Sequence, residues 1–255
     1  MKVALVQAQL LWVDVPGNLF AFNQRLEQVS GVDMIVLPEM FSSGFSMEGK
    51  EKIALHYEEV REQMAAWARQ KDALVVGSTI YEEEQRYFNR LIAAFPGGGV
   101  STYDKRHCFS MGGEDKHFTP GKERVIVAYK GIKIAPFICY DLRFPVWSRN
   151  DTGYDVALYV ANWPEARREA WKRLLQARAI ENQAYVVGVN RVGKDGNGLN
   201  YAGDSMALSP KGDVMVSCEP HGDMIVQVEL DFTALQDFRT RFPVLEDRDD
   251  FSVMV

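Results

Sequence analysis

Three side chains able to act as nucleophile, acid or base stand at the ends of predicted strands. Glu39 follows Met34-Ile35-Val36-Leu37-Pro38, Lys105 follows Val100 to Asp104, and Cys139 follows Ile132 to Ile138. Strand ends are where open α/β sheets present ligands. A thiol becomes a strong nucleophile only when a nearby cation or base draws off its proton, and a lysine and a glutamate supply both. The separations of 66 and 34 residues mean that only a folded sheet can unite the three. Each also has a structural reading: a cysteine closing an apolar strand serves as a small buried hydrophobe, a glutamate after proline opens a loop, and a lysine after aspartate is a solvated charge. Residue types and spacing leave both readings open.

The elements that must position these residues alternate. Lys2 to Gln9, Met34 to Leu37 and Ala73 to Ile80 read as strands, separated by amphipathic stretches reaching Val29 and spanning Ile53 to Gln70. Strand–helix repetition predicts neighbouring parallel strands joined by right-handed crossovers. Tyr87 to Phe95 and Val100 to Tyr103 flank Pro96-Gly97-Gly98-Gly99, a hairpin signal that makes the sheet mixed. Further strands are expected at Arg124–Tyr129, Ile132–Cys139 and Val156–Ala161, then a helix over Glu165–Asn182. Tyr185–Val192, Asp204–Leu208, Val214–Cys218 and Met224–Leu230 read as an antiparallel completion of the sheet. No linker or repeat divides residues 1–255, so one domain is expected. The apolar end after an acidic run, Phe251 to Val255, suggests a tail or an arm docking on a second subunit.

Composition narrows the function. With 29 Lys+Arg against 35 Asp+Glu, the net charge of −6 and the absence of a basic run argue against nucleic acid as a partner. No apolar run is long enough to span a bilayer, and the N-terminal stretch turns polar too early for a signal peptide. Three widely spaced cysteines, Cys108, Cys139 and Cys218, read as free thiols in a reducing cytoplasm. His56, His107, His117 and His221 include no pair at zinc-motif spacing, and no Cys-x-x-Cys occurs, so no metal is expected. The glycine clusters 97–99 and 193–198 read as hairpins rather than phosphate loops, and Ser205 has no histidine partner that would make a serine triad.

The segments Leu37-Pro38-Glu39-Met40-Phe41, Tyr103-Asp104-Lys105-Arg106-His107 and Ile138-Cys139-Tyr140-Asp141-Leu142-Arg143-Phe144-Pro145 occur in that order. They are joined by Gly113-Glu114, Ala161-Asn162-Trp163-Pro164 and Gly203-Asp204-Ser205. Together they resemble the nitrilase (carbon–nitrogen hydrolase) superfamily over nearly the whole chain, and its omega-amidases in particular. The resemblance implies an α/β fold, a four-layer α/β/β/α sandwich with two mixed β-sheets. It also implies a homodimer joined through helical faces and no cofactor. Glu39, Lys105 and Cys139 match the family's catalytic triad, and Glu114 matches its second glutamate.

The expected chemistry is attack of Cys139 as a thiolate on an amide, with Lys105 and the Tyr140 N–H facing the oxyanion and Glu39 moving protons. The implied substrate is a small omega-amido 2-oxo acid, 2-oxoglutaramate or 2-oxosuccinamate. Its remote carboxylate calls for a cationic fork, for which Arg143 and Arg167 are candidates. Arg143 is equally open to pairing with an acid that fixes the nucleophile turn, and Arg178 reads as a packing or ion-pair residue. Phe41, Tyr140, Phe118 and Trp163 are candidate pocket walls, and His107 an orienting partner. N-carbamoyl or nitrile hydrolysis on the same triad, and a catalytically silent scaffold, are the alternatives.

Overall fold

The computed structural model describes residues 1–254. Strands β1 (Lys2–Gln7), β2 (Met34–Val36) and β3 (Leu74–Glu83) run parallel, Leu5 pairing with Val36 and Val36 with Val76. β4 (Arg86–Ala94) and β5 (Val100–Asp104) continue the sheet antiparallel through the expected glycine turn. A second sheet begins with β6 (Val127–Tyr129) antiparallel to β7 (Ile132–Ile138), followed by the parallel strands β8 (Val156–Ala161) and β9 (Tyr185–Asn190). A hairpin of β10 (Val192–Lys194) and β11 (Asn200–Ala202) leaves this sheet. β12 (Met206–Leu208) and β13 (Val214–Ser217) then extend it beyond β9. β14 (Met224–Glu229) crosses over and pairs antiparallel with β1 from Met224↔Gln7 to Glu229↔Lys2. The closing strands thus complete two six-stranded sheets rather than extending one, as the family resemblance implied.

The two-residue period of the strands sorts side chains between layers. Val3, Leu5, Met34, Val36, Leu74 and Val76 join the core shared with the second sheet. Their neighbours Ala4, Val6, Ile35 and Val75 instead meet α1 (Val15–Glu27) and α3 (Tyr57–Lys71) through Phe22, Val60, Met64 and Trp67. α4 (Arg168–Asn182) covers the outer face of the second sheet with Trp171 and Leu175. The result is the expected four-layer α/β/β/α sandwich with two mixed sheets. The predicted helix over Ile53–Gln70 is divided: α2 (Lys50–Ala54) ends in a tight turn, His56 N donating to Ile53 O, before α3 begins. A last helix, α5 (Phe232–Arg241), was not expected, although Phe232, Leu235 and Phe238 recur at helical spacing and the Asp231 side chain caps it by accepting from Ala234 N. No helix among the described residues is long and apolar enough to cross a membrane.

The contact between α4 and its sheet needs a residue without a side chain. A Cβ on Gly188 would stand 2.6 Å from Leu175 Cδ1 and 2.9 Å from Trp171 Cζ2. Overpacking of this kind typically costs about 1–3 kcal/mol. Gly188→Ala is expected to lower the urea midpoint at unchanged slope by that amount. Gly97→Ala, which meets no atom within 4 Å, should stay within about 0.5 kcal/mol of the parent.

Candidate active site

Glu39, Lys105 and Cys139 stand at the same ends of their sheets, and the fold brings them together. Beyond β2, Leu37 N still donates to Val76 O, and the chain then turns sharply at Met40, whose φ is 42°. Met40 N donates to Ser78 Oγ, which fixes the turn that aims Glu39 inward. Lys105 is held at the end of β5 by its own N–H to Asn89 O and by Gly121 N donating to Lys105 O. Gly121 has no alternative here, since a Cβ would lie 2.1 Å from Asp104 O. Cys139 begins a 3₁₀ turn directly after β7 with φ 44°, a left-handed conformation that a non-glycine residue adopts only under constraint.

That constraint comes from Asp141, a fully buried carboxylate that sequence reading left unassigned. Its Oδ2 accepts from Ile138 N at 3.0 Å and Tyr103 Oη at 2.7 Å. Its Oδ1 accepts from His107 N at 2.9 Å and pairs with His107 Nδ1 at 2.8 Å. The nucleophile turn is therefore tied to the loop that follows Lys105. Arg178 Nη2 adds a bond to Leu142 O while Nη1 meets Glu181, so this arginine is structural, as expected. The acid fixing the turn lies within the turn itself and pairs with Tyr103 and His107. Arg143 is left exposed, with its guanidinium 4.9 Å from the centre of the Trp163 ring.

The charges are concentrated around Lys105. Its Nζ donates to Glu39 Oε1 at 2.9 Å and to both oxygens of Glu114 at 2.9 Å, and all three side chains are essentially solvent-free. Burial alone would discharge the lysine, but Glu114 and Glu39 outweigh it and hold its pKa well above the ordinary value. Burial raises the Glu114 carboxyl, opposed by Lys105 and by a bond from Phe109 N. The Cys139 thiol is pushed well above its usual range by burial and by Glu39, which together exceed the pull of Lys105. Attack as a thiolate, the form expected from sequence, therefore calls for a base close to the sulfur, and Glu39 is the carboxylate beside it.

Glu39 is further held by Asn89 Nδ2 to Oε1 at 2.8 Å and Asn162 N to Oε2 at 2.7 Å, and its carbonyl accepts from Asn162 Nδ2. Neither asparagine was singled out from sequence, although Asn162 belongs to the quoted Ala161-Asn162-Trp163-Pro164 segment.

A cavity of about 350 Å³ opens onto this cluster, and Tyr140, Arg143, Trp163 and Arg167 all line it. Phe41 and Phe118 do not. Both are buried in the core between the first sheet and its helices, Phe41 edge-on to Phe22 and tilted against Trp67, in space left by Gly77. The apolar walls come instead from Phe45, Met47, Phe109, Met111 and Leu199, with Tyr201 of β11 beside them. These residues lie on loops and a short hairpin, where no periodicity marks them. Arg167 lies with its guanidinium 5.2 Å from the centre of the Phe109 ring. Among the described residues, neither Arg143 nor Arg167 has a carboxylate partner.

A model of the carbon-nitrogen hydrolase family matches residues 2–240. The chain belongs to this family. It is 49% identical over 251 residues to omega-amidase YafV of Escherichia coli (strain K12), covering 98% of both chains. It is 31% identical over 223 residues to the 2-oxoglutaramate amidase of Bacillus subtilis (strain 168), covering 84% of each. Among solved structures it superposes with a TM-score of 0.97 on a CN-hydrolase superfamily protein from Xanthomonas campestris, crystallised with an arsenic adduct in its active site. That match is at 41% identity and covers 100% of this chain and 99% of the other. The protein is thus an amide-hydrolysing enzyme of the nitrilase superfamily.

The ion cluster sets a titration test. Deprotonation adds negative charge beside Glu39, so the carboxylate opposes it and removing that carboxylate must lower the thiol pKa. In Glu39→Gln, the ultraviolet thiolate signal is expected to titrate at lower pH than in the parent, although turnover falls. Cys108 and Cys218, both raised to about 12 chiefly by burial, are replaced by serine in parent and variant so that the signal reports Cys139 alone. An unchanged midpoint would show that Glu39 does not control the thiol.

Proposed function

We propose that the enzyme hydrolyses the terminal amide of a small omega-amido 2-oxo acid, such as 2-oxoglutaramate or 2-oxosuccinamate, through a thioester on Cys139. The observation that carries this reading is a buried Glu39–Lys105–Glu114 ion cluster beside a thiol held in a strained turn, at the base of a cavity containing two carboxylate-free arginines.

Glu39 takes the thiol proton as sulfur attacks the amide carbon, so that thiolate need not accumulate. Oε1 already accepts from Lys105 and Asn89, whereas Oε2 accepts only from Asn162 N, which leaves Oε2 as the basic oxygen. The developing oxyanion faces the Lys105 ammonium and the Tyr140 N–H, donors of a kind whose removal costs about 100- to 1000-fold in rate. Glu39 returns the proton to the nitrogen, the C–N bond breaks, and ammonia leaves a thioester behind. Water then attacks, again losing a proton to Glu39, which restores the thiol and releases the carboxylic acid. Glu114 keeps Lys105 charged and in place throughout.

The substrate's remote carboxylate is assigned to Arg143 and Arg167, whose guanidinium groups lie 4.9 and 5.2 Å from the ring centres of Trp163 and Phe109 and have no carboxylate partner among the described residues. We assign a homodimer formed over the outer face of α4, where Ile180 is 53% exposed and the neighbouring Val146 56%. The three unpaired cysteines support a cytoplasmic location.

Rapid quenching with 2-oxoglutaramate is expected to leave an acyl adduct on the peptide containing Cys139, read by mass spectrometry, and Cys139→Ala should abolish both adduct and ammonia release. A carbamoyl amino acid and an aliphatic nitrile should turn over more slowly. An adduct confined to Cys108 or Cys218, or full activity in Cys139→Ala, would overturn the reading. Arg143→Gln and Arg167→Gln test the carboxylate site separately: at least one should raise KM for 2-oxoglutaramate about tenfold or more. Its effect on a neutral aliphatic amide should be small, and equal losses on both substrates would exclude carboxylate recognition by that arginine.

A further inference from the structure

Two strands break their own apolar pattern at the end nearest the site. On β3, Leu74 and Val76 face the core between the sheets, and the next position on that face is Ser78. On β4, Leu91 and Ala93 face the same core, and the preceding position on that face is Asn89. Both polar residues are at most 1% exposed. Burying an amide and a hydroxyl where leucine or valine would fit is unfavourable unless each polar atom is paired. Here each is paired, and the pairing runs in one direction. Met40 N donates to Ser78 Oγ at 2.8 Å, Ser78 Oγ donates to Asn89 Oδ1 at 2.9 Å, and Asn89 Nδ2 donates to Glu39 Oε1 at 2.8 Å. Because Ser78 Oγ already accepts from Met40 N, its proton points to Asn89, and that fixes which way round the Asn89 amide lies. The main chain of Asn89 acts as well, since its carbonyl accepts Lys105 N at 2.9 Å.

We propose that Asn89 is a positioning residue for amide hydrolysis. Its carbonyl sets the backbone of Lys105, while its side-chain amide, oriented by Ser78, occupies one oxygen of Glu39 so that the other exchanges protons with Cys139. The inference rests on the assignment of Glu39 as the proton-transfer group. The charged and titratable groups facing Glu39 are Lys105, the Cys139 thiol and, across the lysine, Glu114. Against these, the Asn89 N–H stabilises the ionised carboxylate, the form that accepts the thiol proton. Losing that donor favours the protonated form, which is inactive as a base.

The test is the pH dependence of kcat/KM for ammonia release from 2-oxoglutaramate. Asn89→Asp replaces the donor with a second carboxylate next to Glu39 and should move the acid limb to higher pH by about one unit or more, with much of the rate recovered above the new limb. Ser78→Ala keeps Asn89 but frees its amide to turn, and should move the limb the same way by less. It carries the test alone if Asn89→Asp does not fold. A uniform loss of rate at every pH in the folded variants, with the limb unmoved, would overturn the proposal and leave Asn89 a packing residue. Glu39→Gln separates this from the functional reading. If the parent's acid limb survives that change, Glu39 is not the base and both fail. If Glu39→Gln removes the limb while Ser78→Ala and Asn89→Asp leave it in place, only the role of Asn89 fails.

Discussion

The structure depends on keeping one ammonium group charged where water cannot reach it. Removing an ion from water costs several kcal/mol even after relaxation, so a buried lysine normally loses its proton. Lys105 keeps its proton because two carboxylates, from the end of β2 and from the turn after Gly113, close on it at hydrogen-bond distance. Those carboxylates are buried as well, and each is satisfied by further donors: Asn89 and Asn162 for Glu39, Phe109 N for Glu114. Stability does not account for such a cluster, since buried ion pairs often do no better than packed apolar groups of equal volume. It is intelligible as a site: burial and Glu39 push the Cys139 thiol up against the pull of Lys105, and the same carboxylate stands next to the sulfur.

The same economy appears at the nucleophile. A non-glycine residue at φ 44° carries strain of about 1–3 kcal/mol and persists only when its surroundings over-determine it. Asp141 does so by collecting donors from the strand before the turn, from Tyr103 on β5, and from the backbone and ring of His107. Because β5 and the segment after it also carry Lys105, the bonds that hold the turn fix the distance between sulfur and ammonium. The two sheets are thereby registered at the one place where a small slip would separate the reacting groups.

What could be read in the sequence follows from how local each signal is. β7, β8 and β9 are continuous apolar runs because both faces are covered, and their positions were plain. The strand-end placement of Glu39, Lys105 and Cys139 was equally plain, yet their meeting was not, since residue spacing carries no information about strand order; the motif resemblance supplied it. Phe41 and Phe118 were misplaced because adjacency in sequence to Glu39 and Glu114 was taken for adjacency to the cavity. At Met40 the chain turns with φ 42° and sends Glu39 and Phe41 to opposite sides. Asn89 and Ser78 did leave a trace, a polar residue at a core-facing step of an otherwise apolar alternation, which becomes interpretable only once the facing layer is known. α5 left one too, Phe232, Leu235 and Phe238 at helical spacing, which the sequence reading passed over.

The cavity also has a direction. Glu39 and Lys105 line it beside Cys139, with Glu114 behind the lysine, while Arg143 and Arg167 line it near aromatic rings; Asp195, also at its lining, is taken up by the Asn197 and Leu199 N–H groups and the Tyr201 hydroxyl. An anionic group is repelled by the first region and attracted by the second, and the low dielectric of an apolar lining strengthens both effects. A molecule with an anionic end and a neutral end is therefore oriented before any contact with sulfur, its neutral end toward Glu39 and Cys139 and its anionic end toward the arginines.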